Sequence, residues 1–160
     1  MLPRPMAGVF FEGSKMSNRT MMLALGYTGL LPFFGFCMGA WWLSDWPAAL
    51  SRQGFVIYSL GILSFLGGTL WGRVQNLENP NITRLLVSNG LVLFAVFSVL
   101  TAQAWLAALG LMAGYLALLW YERGSEALPD WYAAMRLRLT AGVVLAHLLF
   151  FILQSYQSAL

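Results

Sequence analysis

The sequence predicts an all-α, polytopic integral membrane protein, a bundle of five transmembrane helices, from its composition, its uncharged stretches and the placement of its basic residues. Of 160 residues, 59% are hydrophobic and only 9% are charged, and the mean hydropathy is +0.70. An ordinary soluble domain carries about 25% charged residues. A very apolar soluble bundle is the alternative, but such a chain has too few polar residues to cover its surface. Lipid is therefore the expected solvent for most of the chain.

Charged residues divide the chain into stretches that match the thickness of a bilayer. Uncharged runs of 25, 20, 37 and 22 residues follow Arg19, Arg52, Arg84 and Arg138, and one crossing needs about 20 apolar residues. A single helix over the 37-residue run would be about 55 Å long, so we expect a turn near TAQAW, residues 101–105. The predicted helices cover about residues 21–43, 53–74, 83–100, 104–121 and 136–156.

Residues 1–19 are predicted to be a mobile N-terminal tail, and residues 20–160 a single domain. Charged residues from Arg4 to Arg19 leave no apolar core for a cleaved signal peptide. Met16 is an alternative start, which leaves open whether residues 1–15 belong to the native chain. A mitochondrial presequence is a second interpretation of this tail.

The basic residues predict the orientation of the chain. With five crossings, eight of the nine fall on the side of the N-terminus, and Arg52 alone falls on the other. Basic residues are enriched on the cytoplasmic side of membrane proteins. We therefore expect the N-terminus inside and the C-terminus outside. The eight are Arg4, Lys15, Arg19, Arg73, Arg84, Arg123, Arg136 and Arg138.

Glycines in the first two predicted helices indicate a packing groove. Glycine disfavours a soluble helix by about 1 kcal/mol relative to alanine, but in lipid small residues let two backbones approach closely. At 100° per residue the small residues of the second helix share one face, and the first helix has a G-x-x-x-G motif as the expected partner face. The groove residues are Gly54, Gly61, Ser64, Gly68, Gly72, Gly35 and Gly39.

Pro32 lies in the middle of the first predicted helix. Proline lacks an N–H and clashes with the carbonyl four residues earlier, that of Thr28. A kink is therefore expected. It is interpreted as a static feature of the bundle or as a hinge that lines a ligand site.

Three motifs resemble a known family. GLLPFF at 29–34, YSLGILSFLGGTLWG at 58–72 and LPDWYAAMRLRLT at 128–140 are similar, in order and spacing, to the domain-of-unknown-function family 3429, which includes the transmembrane-protein-69 relatives of animals. The resemblance implies a small polytopic protein of the bacterial inner membrane or, alternatively, of the mitochondrial inner membrane. It implies no established activity.

His147 is the one ionisable residue that falls well inside a predicted crossing. Intramembrane ionisable residues are functional hypotheses by default, and burial favours the neutral imidazole. It could carry protons or bind a metal or a quinone headgroup. Alternatively, it forms a hydrogen bond to a neighbouring helix and has a structural role.

Aromatic and basic residues collect at the cytoplasmic edge. They are interpreted either as a patch that contacts lipid headgroups or a partner, or as an ordinary aromatic belt with positive-inside charges. These residues are Trp71, Arg73, Asp130, Trp131, Tyr132, Arg136 and Arg138.

No catalytic, cofactor-binding or metal-ligating set is predicted, because the chain lacks the motifs of the common hydrolases, metalloproteases and nucleotide-binding enzymes. The sequence favours a non-enzymatic accessory, assembly or stabilising subunit of a membrane complex. The alternative is a carrier of a lipid, quinone or other small molecule, with a pocket near Pro32, Ser64 and His147. The expected partners are the bilayer and other membrane-protein subunits, without nucleic acid.

Overall fold

The computed structural model describes residues 10–75, 81–101, 103–125 and 128–157. Within these ranges the chain is helical and contains no strand. Five segments are long and apolar enough to span a membrane, which confirms the predicted number. The helices are α1 Phe10–Thr28, α2 Leu31–Trp42, α3 Asp45–Gly72, α4 Ile82–Thr101, α5 Ala104–Ser125 and α6 Asp130–Gln157.

The first spanning segment, Asn18–Trp42, consists of most of α1 together with α2. Helix α1 ends at Thr28, and Pro32 lies in the first turn of α2, where its missing N–H disrupts no helical bond. The N–H of Leu30 donates instead to the carbonyl of Tyr27 at 3.0 Å. In place of the expected kink within one helix, a two-residue turn at Gly29 and Leu30 separates α1 from α2.

Helix α1 begins at Phe10, within the segment for which the sequence predicted a mobile tail. Residues 1–9 lie outside the described residues. Because α1 begins at Phe10, the second half of the predicted tail is helical. The predicted mobility of residues 1–19 stays a prediction.

The other helices extend beyond the predicted limits. Helix α3 begins at Asp45 and α6 at Asp130, several residues before the uncharged runs. Both carboxylates lie in a first turn, where the positive end of the helix dipole favours an anion. Charged residues thus bound the uncharged runs and do not stop the helices. The turn between α4 and α5 falls between Thr101 and Ala104, inside the predicted TAQAW.

The five spanning segments form a closed ring in chain order. Helix α3 packs against α2 and α4, α5 packs against α4 and α6, and α6 closes the ring against α2. Helix α3 also contacts α5 across the bundle, whereas α1 contacts α6. The centre is filled by apolar side chains from α2, α3, α5 and α6, which include Phe33, Phe55, Leu63, Leu111 and Phe150.

Small residues allow α4 and α5 to approach closely. A Cβ built on Gly110 of α5 would lie 2.7 Å from Ser98 Oγ and 2.9 Å from Ser98 Cβ of α4. In contrast, a Cβ on Gly90 would have no neighbour within 4 Å.

Substituting Gly110→Ala is expected to destabilise the fold by about 1–3 kcal/mol, because overpacking displaces the neighbouring helix. Gly90→Ala is the matched control and should be neutral or slightly stabilising. Equilibrium unfolding in mixed detergent micelles measures both. Equal stability of the two variants would contradict the close α4–α5 contact.

The outer surface of the bundle is apolar along its length. Leu25, Ile57, Phe65, Leu93 and Ile152 are all more than half exposed. A soluble protein rarely exposes so large a continuous apolar surface. Lipid contact is the condition under which this surface is stable.

All seven tryptophans lie near helix ends, where their amphipathic rings suit a membrane interface. Trp41 contacts Tyr156, and Trp105 contacts Phe151, at one end of the bundle. At the other end the Arg19 guanidinium lies 4.9 Å from the centroid of the Trp131 ring. We call this second end, formed by the start of the first spanning segment, the C-termini of α3 and α5 and the N-termini of α4 and α6, the basic end.

Candidate functional site

A buried ion pair connects α5 and α6 at the basic end. Nε of Arg136 donates to Oε2 of Glu122 at 2.9 Å, and Nη2 donates to the same oxygen. The side chain of Arg136 is 5% exposed and that of Glu122 is 1% exposed. A guanidinium and a carboxylate this deeply buried stabilise each other only as a pair, because either charge alone would have a large desolvation penalty.

Arg73 extends this pair into a cluster. Its Nη2 lies 3.7 Å from Oε1 of Glu122 and donates to the hydroxyl oxygen of Tyr132 at 3.3 Å. Oε1 itself is buried and accepts no hydrogen bond from the residues that the structure describes. The C-terminus of α3 is thereby joined to the α5–α6 hairpin by charge.

The predicted edge residues are divided between surface and interior. Trp71, Asp130 and Arg138 are exposed, and Arg73, Trp131 and Tyr132 are half-buried. Arg136 differs from the expected surface contact, because it points into the bundle to meet Glu122.

Glu122 was not among the predicted site residues, although the sequence carries a signal for it. Glu122 lies three residues before the end of α5, and Arg136 lies six residues after the start of α6. Opposite charges within two turns of consecutive helix ends could therefore have indicated the pair.

His147 lies in the centre of the bundle and is fully buried. Its Nδ1 lies 2.8 Å from the carbonyl oxygen of Val143, and its Nε2 lies 2.8 Å from Oγ of Ser59 on α3. A carbonyl can only accept, so Nδ1 carries the proton and the Ser59 hydroxyl donates to Nε2. The Tyr115 hydroxyl donates to the Ser59 carbonyl at 2.9 Å.

Both ring nitrogens of His147 are therefore used by the protein itself. The imidazole is also enclosed by the rings of Phe33, Phe55 and Tyr115, with centroid distances of 5.6, 4.9 and 5.6 Å. A metal or quinone would have to displace one of these bonds. This geometry favours the structural interpretation, in which His147 connects α6 to α3.

A cavity of about 310 Å³ lies between α1, α2, α3 and α6. Its wall is apolar except near Arg136 and Thr140, and it includes Tyr115 of α5. The exposed side chains of Leu25 and Phe65 also line it, so the cavity is open to the outside of the bundle. This is the place between helices where the carrier hypothesis put a pocket. Pro32, Ser64 and His147 do not line it, however, whereas their neighbours Phe33, Ile62 and Val143 do.

Only some residues of the predicted glycine groove lie in a contact between helices. A Cβ on Gly39 would lie against Ser51, and one on Gly54 against Phe36, so both glycines are in the α2–α3 contact. Ser64 is half-buried. Among the described residues, the Cβ positions of Gly35, Gly61, Gly68 and Gly72 have no neighbour within 4 Å, so these four glycines do not take part in the α2–α3 contact.

The adjacent face of α3 makes the contact that the groove was expected to make. Ser59, Leu63, Gly67 and Leu70 are buried, and the Ser88 hydroxyl of α4 donates to the carbonyl of Gly67 at 2.8 Å. The face with Gly61, Gly68 and Gly72 is rotated away and is exposed. We call this exposed stripe the glycine face of α3.

The fold and the site together define a class: a small helical bundle with five membrane-length helices, a buried ion pair at one end and no recognisable catalytic centre in the described ranges. The sequence profile of the family described as "Protein of unknown function (DUF3429)" matches residues 18–152. The chain therefore belongs to this family. No curated protein and no solved structure matches the chain.

Proposed function

We propose that this chain is a non-enzymatic accessory, assembly or stabilising subunit that packs against a transmembrane helix of another membrane protein. It acts by contact, through the glycine face of α3. The membrane is the bacterial inner membrane, with the N-terminus and the basic end on the cytoplasmic side.

The charge distribution supports this orientation. Arg73, Arg84, Arg123 and Arg138 lie at or near the basic end, whereas Arg52 lies near the start of α3 at the opposite end. Short loops with such an excess of basic residues stay in the cytoplasm. The test is a reporter that is active only in the cytoplasm, fused after Leu160. Activity of this fusion would contradict the proposed orientation.

The glycine face is the observation that carries the contact role. Its three glycines, Gly61, Gly68 and Gly72, are exposed on a spanning helix, and nothing in the described chain lies above them. Helices α2 and α4 both pack against α3, and the exposed Phe65 lies on the same face between Gly61 and Gly68. The small residues on either side of Phe65 permit a further helix to approach closely, and van der Waals contact then stabilises the association.

The contact role predicts that Gly68→Leu releases the partner while the chain itself stays folded, because the open space above Gly68 accommodates a side chain. The matched control is Gly90→Leu, which also fills open space on a spanning helix. Affinity purification in mild detergent from native-level expression, followed by mass spectrometry, compares the two with the wild type.

We expect the wild type and Gly90→Leu to recover the same partner, and Gly68→Leu to recover at least tenfold less, since a blocked small-residue contact costs more than 1.4 kcal/mol. Recovery of a monomer alone from the wild type would contradict the proposal. A second copy of this chain as the recovered partner would replace the accessory role with self-association.

A further inference from the structure

Two polar side chains of α6 border the cavity with hydrogen-bonding capacity left over. Among the described residues, Arg136 uses Nε and Nη2 for Glu122, and no bond from Nη1 is found. Nη1 is not one of the fully enclosed side-chain atoms that lack a partner, so part of its surface borders open space. Thr140 is 3% exposed, and its hydroxyl likewise has no partner in the described ranges and is not fully enclosed.

Arg136 and Thr140 are four residues apart, so they lie on the same face of α6, one turn from each other. Both line the cavity. Neither atom is among the enclosed atoms without a partner, so both can be reached by a molecule in the cavity. In a bilayer that open space is hydrocarbon, where a polar group without a partner costs several kcal/mol, and two accessible donors therefore favour an oxygen acceptor there.

The rest of the cavity wall matches a hydrocarbon chain. It is lined by Leu25, Leu30, Ile62, Leu66, Leu139 and Val143. From Met135 to Val143 it follows α6 for about 12 Å at 1.5 Å per residue. The polar side chains that α6 contributes to this wall are Arg136, at one end, and Thr140, one turn further along.

The depth of the polar end corresponds to one leaflet. Arg136 lies about 9 Å along α6 from Asp130, between Trp131 at the start of the helix and the exposed Arg138. Val143 is deeper, near the centre of the bundle. A phospholipid in that leaflet has its phosphate and ester oxygens at the level of Arg136 and its acyl chain at the level of Val143.

We infer that the cavity is a binding site for one membrane phospholipid, whose phosphate or ester oxygen accepts hydrogen bonds from Arg136 Nη1 and Thr140 Oγ1 and whose acyl chain fills the apolar part. The site goes beyond the contact role of the glycine face. Arg136 then has two functions, since the Glu122 carboxylate holds the guanidinium in place and leaves Nη1 for the lipid.

Native mass spectrometry of the full chain in mild detergent, titrated with dioleoyl-phosphatidylglycerol, tests the site. Ile62→Trp fills the cavity and should weaken lipid binding at least tenfold. Its matched control is Ile57→Trp on the same helix, where Ile57 is 53% exposed and does not line the cavity. Size-exclusion chromatography verifies that both variants are folded.

Thr140→Val removes one donor at nearly constant volume and should weaken binding about fivefold. Thr69→Val is the control, because the Thr69 hydroxyl already donates to the carbonyl of Leu66 at 2.7 Å. The site is supported if the wild type and both controls retain the lipid, and if Ile62→Trp and Thr140→Val bind it more weakly. Equal binding by Ile62→Trp and Ile57→Trp, retention of added ubiquinone in place of phospholipid, or no bound lipid in the wild type would each overturn it.

Discussion

Replacing Glu122 by leucine is expected to lower the free energy of unfolding by about 3–5 kcal/mol, because Arg136 would be left as a buried charge without its partner. The side chain of Arg136 is only 5% exposed, so little solvent reaches the guanidinium to compensate for the lost carboxylate. Arg73, which is 26% exposed, approaches the same carboxylate and contributes less, because solvent screens its charge. Equilibrium unfolding in mixed detergent micelles, followed by tryptophan fluorescence, gives the difference.

Two controls separate the charge effect from a loss of packing. The double variant Glu122→Leu/Arg136→Met should recover most of the lost stability, since a buried pair replaced by apolar residues of similar size is often neutral or stabilising. Arg138→Met should change the free energy of unfolding by less than about 0.5 kcal/mol, because Arg138 is exposed on the same helix. If the single Glu122 variant is as stable as the wild type, the ion pair does not hold α5 and α6 together.

Substituting His147→Ala is expected to destabilise the fold by about 3–4 kcal/mol. The change empties a fully buried position between three aromatic rings, and a truncated core side chain of this size costs about 2–5 kcal/mol. It also leaves the Ser59 hydroxyl without its acceptor in the bundle centre. The same unfolding experiment measures the loss.

Leu148→Ala is the matched control for His147, one residue further along α6. Leu148 is 41% exposed, so its truncation leaves no enclosed cavity and should cost under about 1 kcal/mol. A His147 variant with wild-type stability that has lost a cellular function would overturn the structural interpretation. Tyr115→Phe completes the series, because it removes the bond to the Ser59 carbonyl and should cost about 1 kcal/mol.

Residues at the helix ends were predicted more accurately than residues on helix faces. The turn in TAQAW, the irregularity at Pro32 and the aromatic rings at the basic end follow from local chemistry. In contrast, local chemistry does not determine whether Gly68 and Arg136 face the interior or the outside of the bundle. Gly67 packs against α4 while the adjacent Gly68 is exposed, and a rotation of one residue about the helix axis decides between them.

The sequence alone determined the number of membrane-length helices, their connections and the collection of basic residues at one end. These properties are local, because hydrocarbon thickness sets the length of an apolar run and unpaired backbone groups in lipid enforce the helix.

Only the tertiary structure decided which faces meet. The Glu122–Arg136 pair, the bond between His147 and Ser59, the cavity beside Thr140 and the exposure of the glycine face all depend on how each helix is rotated against its neighbours. In a soluble protein, polarity would mark the inner face of each helix. Here lipid is as apolar as the core, so hydropathy does not distinguish inside from outside, and packing between helices determines the rotation.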